Sequence, residues 1–416
     1  GRFVQAADKV FFVDPPTGEK IGYGRFLSEL SRMDEYRRFV KADSVYEYFK
    51  AFVFACLLDR EIVLLDSDFS DAEIRSLADL PMSEISHSER VAPVPVPDIS
   101  ALVGRLKKCA NFRATLFTSG TTGRPKKVSH TLAGLSRFVR VGANHADDVW
   151  GFAYNPAHMA GLQVFLQALF NGNTVVRLFG LGRGEIFSAI ADYRITHISA
   201  TPTFYRMLLP PATQFAQVRR ITSGGERFTP SLSAEMEKMF PNAKIANVYA
   251  STEAGTLFAA DGDKFTVKDA MRPLVKIGGG ELFLHKSLLG ESDSFALDGD
   301  WYATGDIVEV VSENPLSLKF ARRKSDMINT GGYKVNPREV EDALLAVGGI
   351  KQAVVYGRAN PILGNVVCAK VVPMDGGIDE AAVREALRKT LQGFKIPRII
   401  EIVGELPQTR TGKSLA

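Results

Sequence analysis

The chain has 416 residues and a nearly balanced charge, with 51 Lys and Arg against 47 Asp and Glu and a formal net charge of +4. Such a balance does not indicate a nucleic-acid-binding surface. Hydrophobic residues make up 45% and charged residues 24% of the chain, which is typical of a globular protein and excludes collagen-like, coiled-coil and low-complexity architectures. At roughly 150 residues for each domain, the length predicts about two to three domains.

The three cysteines, Cys56, Cys109 and Cys368, are widely separated in the sequence. This spacing supports neither a disulfide framework nor a zinc knuckle, and it is typical of a reducing compartment. The longest apolar stretch, 51–58, is much shorter than the ~20 residues of a membrane-spanning helix. No basic segment followed by an apolar run opens the sequence, so no secretory signal is predicted. We therefore expect a cytoplasmic protein without a membrane span.

The first hundred residues are predicted to form short helices and loops, with a helix near 45–58 and an extended connector at 91–98. Alternating Val and Pro exclude a central strand from that connector, because proline lacks the backbone donor. From residue 113, short apolar runs alternate with helical patterns, which is typical of a layered α/β fold. The strands are predicted at 114–117, 149–153, 173–178, 197–200, 218–222 and 243–249.

Beyond about residue 271 the pattern changes to closely spaced strands, which predict an antiparallel β region. These strands are predicted at 281–285, 301–303, 307–312 and 317–320. After a polar segment at 322–326, the chain is predicted to form helix 337–345, strands 353–357 and 366–372, and helix 380–391. The sequence thus predicts a large N-terminal α/β domain followed by a small α+β C-terminal domain.

The segment 118–127 reads Thr-Ser-Gly-Thr-Thr-Gly-Arg-Pro-Lys-Lys and lies between a predicted strand and a helix-like segment at 132–141. Its glycines allow backbone N–H groups to approach an anion, its hydroxyls can donate to phosphate oxygens, and Lys126 adds charge. It is not a Walker A loop, because Pro125 and Lys127 stand where Lys and Ser/Thr are required. By composition alone the segment could be a flexible linker, but the pattern favours a polyphosphate site.

The loop at 119–126 resembles the signature phosphate loop of the adenylate-forming enzymes, which include acyl-CoA and aryl-CoA synthetases, adenylation domains of peptide synthetases, and firefly luciferase. Further motifs follow in the order of that family. They lie at 247–253 (NVYASTE), 280–284 (GELFL), 300–306 (DWYATGD), 323–328 (RKSDMI), 331–335 (GGYKV), 339–341 (EVE) and 407–413 (PQTRTGK). The compact chain is similar to the o-succinylbenzoyl-CoA synthetases and related aryl-acid ligases.

The resemblance implies a division of the chain at a hinge. Residues 1–322 would form an adenylation domain, abbreviated at its N-terminus, with the phosphate loop and the acyl pocket. The hinge would be 323–325, with Ser325 at a pivot position where relatives usually carry Asp or Lys. Residues 326–416 would form a mobile lid that carries the catalytic lysine.

The resemblance also implies the activity of an acid-thiol ligase that requires ATP and Mg²⁺. Such an enzyme activates a carboxylic acid to an acyl- or aryl-adenylate with release of pyrophosphate, and then transfers it to the thiol of CoA or of the phosphopantetheine of a carrier protein. The pocket segments lack the aspartate with which relatives bind an α-ammonium group, so an aryl or medium-sized acid is favoured over an amino acid. Transfer to an amine, giving an amide ligase, remains open, as does the oligomeric state. A catalytically idle nucleotide-binding homologue is the alternative from another class, but such a protein has no chemical need for Lys413.

Roles for individual residues come from the matching motif positions. Lys413 would bridge the attacking carboxylate and the α-phosphate, Thr252 would touch the α-phosphate, and Glu253 would bind Mg²⁺. The expected catalytic residues are Lys413, Thr252, Glu253 and His158, although a lone histidine is more often structural. The expected nucleotide-binding residues are Thr118, Ser119, Gly120, Thr121, Thr122, Gly123, Lys126, Tyr249 (stacking on adenine), Asp306 (accepting from the ribose hydroxyls) and Arg323. The expected acyl-pocket residues are His158, Phe204, Gly224, Gly225, Ala250 and Ser251. The expected lining of the thiol tunnel is Gly331 and Gly332.

Overall fold

The computed structural model describes residues 8–67, 69, 71–78, 81–118, 126–226, 228–324, 327–330, 333–360, 364–374, 377–391 and 393–407. The helices are α1 (Tyr23–Arg32), α2 (Val45–Leu57), α3 (Asp71–Ala78), α4 (Met82–Ile85), α5 (Ile99–Leu106), α6 (Leu132–Leu135), α7 (Met159–Phe170), α8 (Arg183–Asp192), α9 (Pro202–Met207), α10 (Pro230–Met239), α11 (Pro337–Leu345) and α12 (Glu380–Arg388). Short 3₁₀ helices lie at Ala143–His145, Asp269–Leu274, Lys286–Leu288 and Gly393–Lys395.

The first ten strands are β1 (Val10–Asp14), β2 (Glu19–Gly22), β3 (Glu35–Tyr36), β4 (Phe39–Val40), β5 (Ile62–Leu64), β6 (Glu89–Arg90), β7 (Ala114–Thr118), β8 (Lys126–His130), β9 (Val149–Phe152) and β10 (Thr174–Arg177). The others are β11 (His197–Ala200), β12 (Arg220–Gly224), β13 (Lys244–Ser251), β14 (Gly255–Asp261), β15 (Lys264–Thr266), β16 (Val275–Gly278), β17 (Glu281–His285), β18 (Leu297–Asp298), β19 (Trp301–Glu313), β20 (Leu316–Arg323), β21 (Ile328–Thr330), β22 (Tyr333–Val335), β23 (Ile350–Asn360), β24 (Gly364–Pro373) and β25 (Ile399–Ile402).

The main sheet has 14 strands among the described residues, in the order β16-β17-β19-β20-β15-β14-β13-β12-β11-β9-β10-β1-β2, with β18 paired to β19. The run from β13 to β1 is parallel, and the strands beyond it on either side are antiparallel. Parallel strands need helical crossovers that cover both faces of the sheet. The predicted layered α/β fold with an attached antiparallel region is therefore confirmed.

The parallel strands are buried between two hydrophobic cores, one on each face of the sheet. On one face α7 packs against α2, where the rings of Phe49 and Phe165 stack at a centroid distance of 3.9 Å. On the other face α8, α9 and α10 cover the sheet. Gly151 of β9 faces this second layer, and a Cβ there would come within 2.7 Å of the side chain of Leu178. The sheet is thus fixed from both sides, which holds the loops at its carboxyl edge.

The N-terminal residues contain strands that the sequence analysis did not predict. Strand β1 pairs in parallel with β10 and antiparallel with β2, so both extend the main sheet. Phe11, Phe12 and Val13 of β1 are almost completely buried, which is typical of a strand covered on both faces. The expectation of helices and loops alone was wrong here, because a short continuous apolar run does not show the alternation of a half-buried strand.

A second, four-stranded sheet has the order β4-β5-β7-β8. Strands β7 and β8 pair antiparallel, with Thr118 opposite Lys126, so the phosphate loop is the connection between the two strands of a hairpin. The loop is therefore followed by a strand. The predicted helix 132–141 is shorter than expected, since α6 ends at Leu135. The N–H of Arg140 bonds instead to the side chain of Gln167 on α7.

In the antiparallel region the predicted strands 301–303 and 307–312 form one long strand, β19. Gly305 has φ +76°, and the pairing of β19 with β17 and β20 shifts register near this point. A glycine at positive φ accommodates such a bulge without interrupting the strand. The sequence reasoning mistook this internal bulge for a turn.

The C-terminal residues form a separate five-stranded sheet of order β22-β21-β24-β23, with β25 beside β24. Helices α11 and α12 pack on this sheet through Val340, Leu344, Val383 and Leu387. In chain order, the last strand of the main sheet is β20, which ends at Arg323. The next strand, β21, begins at Ile328 and belongs to the small sheet. A small C-terminal α+β unit is therefore confirmed. No helix among the described residues is long and apolar enough to cross a membrane.

Candidate active site

A cavity of about 250 Å³ opens at the carboxyl edge of the parallel strands, between the main sheet and helices α6 and α7. Loops that follow β9, β11, β12 and β13 contribute to its wall, which is where ligands bind in open α/β sheets. Five of the six expected pocket residues line the cavity, namely His158, Gly224, Gly225, Ala250 and Ser251. The sixth, Phe204, lies instead in the core on the opposite face of the sheet.

The wall of this cavity is largely apolar, and none of the described residues that line it is Asp, Glu, Lys or Arg. Its residues are Leu135, Phe138, Val139, Trp150, Tyr154, Asn155, His158, Met159, Ala160, Gln163, Val164, Gln167, Ser199, Thr201, Thr222, Gly224, Gly225, Val248, Ala250, Ser251, Thr252 and Thr256. Burial raises the pKa of Tyr154, whose hydroxyl bonds to Ser199. The cavity is therefore suited to an uncharged group.

Gly224, the last residue of β12, and Gly225, which follows it, keep the floor of the cavity open. A Cβ at Gly224 would come within 2.7 Å of Val248 Cγ2 on the neighbouring strand, which is closer than carbon atoms can approach without a shift. Gly225 has φ +86°, a conformation that glycine adopts without the steric penalty of a side chain. The backbone of β12 can therefore turn away at this point and leave space against Ala250.

His158 is the residue before α7, and its side chain points away from the helix end. As the N-cap it makes no side-chain capping bond. Its Nε2 instead lies 2.8 Å and 3.1 Å from the carboxylate oxygens of Asp66. The same carboxylate accepts the side-chain N–H of Asn155 at 2.7 Å. The loop 155–158 packs closely against α7 at Gly161, because a Cβ at this position would come within 2.4 Å of the carbonyl oxygen of Asn155.

The backbone of the Thr252–Glu253 pair is held from both sides. His130 Nε2 lies 2.7 Å from the carbonyl oxygen of Thr252, so this nitrogen must carry the donated proton. The N–H of Gly290 donates to the carbonyl oxygen of Glu253 at 2.8 Å. Burial lowers the pKa of His130, which favours the neutral ring. The two bonds fix the turn that brings Thr252 to the cavity wall.

Asp306 is buried on β19 and accepts hydrogen bonds from two side chains. The hydroxyl of Tyr249 donates at 2.7 Å, and Arg323 Nε donates at 2.9 Å. Burial opposes the charge of Arg323, but the attraction of Asp306 outweighs it and raises the pKa of the guanidinium. The Tyr249 ring stacks with Phe320 at 4.2 Å and with Phe258 at 5.7 Å. A carboxylate and an aromatic stack thus lie together beside Glu253, whose charge acts on both Tyr249 and Arg323.

The end of the main sheet is anchored next to Asp306. Lys324 Nζ lies 3.0 Å from Glu281 Oε2, and the other oxygen of Glu281 accepts the N–H of Gly305. The N–H of Lys324 donates to the carbonyl oxygen of Gly305 at 2.7 Å. Residues up to 324 are therefore bound to the large sheet immediately before the expected pivot at Ser325.

Several expected site residues lie outside the described part of the chain. These are Ser119, Gly120, Thr121, Thr122 and Gly123 of the phosphate loop, Ser325 of the hinge, Gly331 and Gly332 of the thiol tunnel, and Lys413. Thr118 and Lys126 lie opposite each other at the end of the β7–β8 hairpin where the connecting loop begins and ends. The two strands therefore bring the ends of the phosphate loop together.

Comparison with known proteins places these features in a family. The model of the AMP-binding enzymes matches residues 90–278, and the model of the AMP-binding enzyme C-terminal domain matches residues 339–413. Together the two matches cover more than half of the chain. The chain belongs to the AMP-binding enzymes.

Several curated relatives are named as CoA ligases, and another is named as a probable non-canonical nonribosomal peptide synthetase. A 7a-methyl-1,5-dioxo-octahydro-1H-inden-4-yl propanoyl:CoA ligase of Mycobacterium tuberculosis is 31% identical over 72% of this chain, which spans only 64% of that protein. A 2-succinylbenzoate–CoA ligase of Bacillus pumilus is 28% identical over 87% of this chain and 83% of its own length. ATP-bound MatB from Rhodopseudomonas palustris is 20% identical and has the same fold, with a TM-score of 0.73 over 99% of this chain and 95% of MatB.

Two groups near this AMP-binding site were missed by the sequence reasoning. Asp66 lies before the segment that the family model matches, and it contacts His158 across 92 positions of sequence. It is the second residue after the buried strand β5, and the carboxyl end of a parallel strand is a signal that could have identified it. His130 ends β8 and contacts Thr252 across 122 positions. Nothing in its local sequence indicates that contact.

The AMP-binding enzymes named by the resemblance use Mg²⁺, and the fit of this chain to the ion can be tested on Glu253. In the described structure the Glu253 carboxylate takes part in no hydrogen bond or ion pair, and no cluster of three metal-ligating side chains occurs there. Mg²⁺ is usually bound by one or two carboxylates together with substrate phosphates and water. A single unpaired carboxylate beside a nucleotide site therefore fits an ion held mainly by phosphate oxygens.

Proposed function

We propose that the protein is an AMP-forming acid–thiol ligase. The observation that carries this proposal is the uncharged cavity whose wall includes Thr252, because Glu253 follows it directly and lies within electrostatic reach of Tyr249 and Arg323. An acid in the cavity would present its carboxyl group toward the place where a nucleotide meets Asp306. Activation of that carboxyl depends mainly on alignment and on stabilisation of developing charge.

In this proposal the roles of the residues follow the family motifs. Tyr249 and Asp306 bind the adenosine, Thr252 contacts the α-phosphate, and the loop between Thr118 and Lys126 holds the β- and γ-phosphates. Glu253 would hold Mg²⁺, which would neutralise phosphate charge. Lys413 would contact both the carboxylate and the α-phosphate in the transition state.

The cavity supports a monocarboxylic acid with a compact, uncharged tail. A cavity of roughly 150 Å³ is sufficient for benzene, so about 250 Å³ is sufficient for a ring with several further atoms or for a medium-sized chain. Among the described residues that line the cavity, none would give an opposite charge to a second carboxylate or an ammonium group, and burial of such an unpaired charge costs several kcal/mol. The M. tuberculosis relative is named for a bicyclic propanoyl group, which agrees with a compact monocarboxylic acid. The B. pumilus relative is named for 2-succinylbenzoate, which carries a second carboxylate, so the test panel must include both kinds of acid.

The acceptor in the second half-reaction is proposed to be a thiol. Several curated relatives are named as CoA ligases, and another is named as a nonribosomal peptide synthetase. The change of sheet between Arg323 and Ile328 provides a junction about which a C-terminal lid could turn. Gly331 and Gly332 would leave space for a pantetheine arm. CoA and the phosphopantetheine of a carrier protein share this arm, so both belong to the proposal.

The first half-reaction can be tested without knowing the acceptor, by measuring acid-dependent exchange between ATP and pyrophosphate. The panel would include aryl, medium-chain and long-chain monocarboxylic acids, dicarboxylic acids and amino acids. We expect exchange with compact uncharged acids and a loss of about 10²- to 10³-fold in Lys413→Ala, the size found when one transition-state charge contact is removed. Lys389→Ala, an exposed lysine of the same domain, is the matched control and should behave like the wild type.

Two results would contradict the proposal. The first is the absence of exchange with every acid although ATP binds, which would favour an idle nucleotide-binding protein. The second is equal exchange in the wild type and Lys413→Ala. Once an acid is known, single-turnover reaction of the preformed adenylate with CoA, pantetheine or an amine would identify the acceptor.

A further inference from the structure

Asp66 is a buried carboxylate that contacts the wall of the acyl cavity from behind. Only 4% of its surface is exposed, and it is not among the residues that line the cavity. It lies in the N-terminal part of the chain, before the segment at 90–278 that the family model matches. Its carboxylate nevertheless accepts three contacts from the loop that precedes α7, two from His158 and one from Asn155.

These contacts determine which nitrogen of His158 carries a proton. An ionised carboxylate can only accept hydrogen bonds, so His158 Nε2 must donate. In the neutral ring Nδ1 is then the free lone pair. Within the described structure no hydrogen bond reaches Nδ1, and Nδ1 is not one of the buried polar atoms without a partner. Because His158 lines the cavity, its Nδ1 is open to a ligand there.

We propose that Asp66 is a positioning residue for the acid-activating step. It holds the imidazole of His158 in one tautomer and one orientation, with Nε2–H tied back to the N-terminal region and Nδ1 presented to the carboxyl end of the bound acid. Asp66 does not touch the substrate and acts only through His158. This inference rests on the proposed function for the identity of the bound group, but the tautomer and its cause are properties of the free protein.

The geometry predicts the effect of Asp66→Asn. One oxygen of Asp66 accepts from both Asn155 and His158 at 2.7–2.8 Å, and the other accepts from His158 at 3.1 Å. An amide with its oxygen at the position that both donors share keeps the bonds to Asn155 and His158, but it places its NH₂ group at the 3.1 Å contact with His158 Nε2. The neutral amide also lacks the charge with which the carboxylate favours an Nε2–H donor. The substitution should therefore lower the population of the Nε2–H tautomer without removing a side chain.

A spectroscopic test does not depend on activity. In protein labelled with ¹⁵N-histidine, two-bond ¹H–¹⁵N correlation spectra distinguish the two tautomers, and His158→Ala identifies the His158 signal among the six histidines. We expect the Nε2–H form in the wild type and an increased share of the Nδ1–H form in Asp66→Asn. A wild-type Nδ1–H form, or the same spectrum in both proteins, would overturn the inference.

A kinetic test uses the pyrophosphate exchange and a double-mutant cycle. We expect Asp66→Asn and His158→Ala each to lower kcat/KM of exchange by about 10²-fold, the effect of a small misplacement at a reacting centre. If Asp66 acts only through His158, the double variant is no worse than His158→Ala. Additive losses would show an effect of Asp66 independent of His158 and would overturn the proposal.

The matched control is Asp148→Asn. Asp148 is equally buried and pairs with His145 Nδ1 at 3.0 Å, but neither residue lines the cavity. This variant should lose thermal stability as Asp66→Asn does, while its exchange rate stays near that of the wild type. The two proposals can fail independently. If the wild type shows no exchange but Asp66→Asn changes the tautomer as expected, only the proposed ligase activity is contradicted. If exchange is normal but the tautomer is the same in Asp66→Asn, only the proposed role of Asp66 is contradicted.

Discussion

Glu341 makes the stability of the C-terminal unit depend on pH in a direction unusual for a carboxylate. It lies on α11 and accepts the N–H of Val355 on β23 at 2.9 Å. The charged groups that act on it are Arg338 and Asp342 of its own helix and Arg206 of α9. Burial outweighs these contacts and raises the pKa of Glu341 to about 7 from an ordinary value of 4.5. The folded protein therefore keeps a proton on Glu341 that the unfolded chain has already lost near pH 6.

The size of this effect follows from the two pKa values. Each tenfold change in proton affinity is worth about 1.4 kcal/mol, so the rise from 4.5 to about 7 corresponds to ~3 kcal/mol. Because the pKa of the folded state is the higher one, this contribution is complete below pH 4.5 and is lost as the pH rises through 7. Glu341→Gln keeps an oxygen for the Val355 N–H but carries no charge. It should match the wild type near pH 4.5 and be more stable by about 3 kcal/mol above pH 7.

The assay is thermal unfolding of the wild type, Glu341→Gln and Glu339→Gln at several values between pH 5 and 8.5. Glu339 lies on the same helix but forms a partly exposed ion pair with Lys395 at 2.7 Å, so Glu339→Gln should lose up to ~1 kcal/mol. The two substitutions thus have opposite signs at pH 8. Parallel pH profiles for the wild type and Glu341→Gln, or a Glu341→Gln variant less stable than the wild type at pH 8, would refute the reasoning.

Two further predictions concern the nucleotide side of the site. Gly290→Ala would place a Cβ within 2.6 Å of the His130 ring, so it should destabilise the protein by ~1–3 kcal/mol and lower the exchange activity. The control is Gly104→Ala, whose Cβ would have no atom within 4 Å and which should stabilise the protein by about 0.5–1 kcal/mol. Similar melting temperatures for the two variants would contradict the steric argument. Tyr249→Phe removes the hydroxyl that donates to Asp306, and a hydrogen bond to a charged group is worth ~1.5–3 kcal/mol. The variant should therefore raise the KM for ATP by roughly tenfold or more without changing the KM for the acid. An unchanged KM for ATP would show that this contact does not support nucleotide binding.

Elements with a clear local pattern were predicted well from the sequence. Strand His197–Ala200, strand Glu281–His285 and helix Pro337–Leu345 have the predicted bounds. The helix carries its own start signals, because Asn336 caps it and Pro337 occupies the first turn. Strand β1 was missed because its partner β10 lies about 160 residues away along the chain. Local pattern alone cannot reveal a strand whose place in the sheet depends on so distant a partner.

The same limit applies to the site. The motif residues Gly224, Ala250 and Thr252 do come together at one cavity, because the motifs follow consecutive strands of a parallel sheet and such loops meet at one edge. The side chains that orient the site arrive from elsewhere, since Asp66 belongs to the second sheet and His130 to the hairpin of the phosphate loop. Their contacts depend on how two sheets pack, and neither residue type nor spacing encodes that packing.

The pairing of the carboxylates around the cavity favours one of them as the ligand of a cation. Asp66 accepts from His158 and Asn155. Glu226, Glu281 and Asp306 each likewise accept hydrogen bonds from neighbouring side chains or backbone. Glu253, a half-buried residue, is the exception, since no hydrogen bond or ion pair of its carboxylate occurs in the described structure. A partly buried, unpaired charge is costly, and the triphosphate of a bound nucleotide would increase that cost by repulsion. A divalent cation held by Glu253 would reduce both penalties by neutralising charge, so we expect nucleotide binding at this site to depend strongly on Mg²⁺ and to lose that dependence in Glu253→Gln.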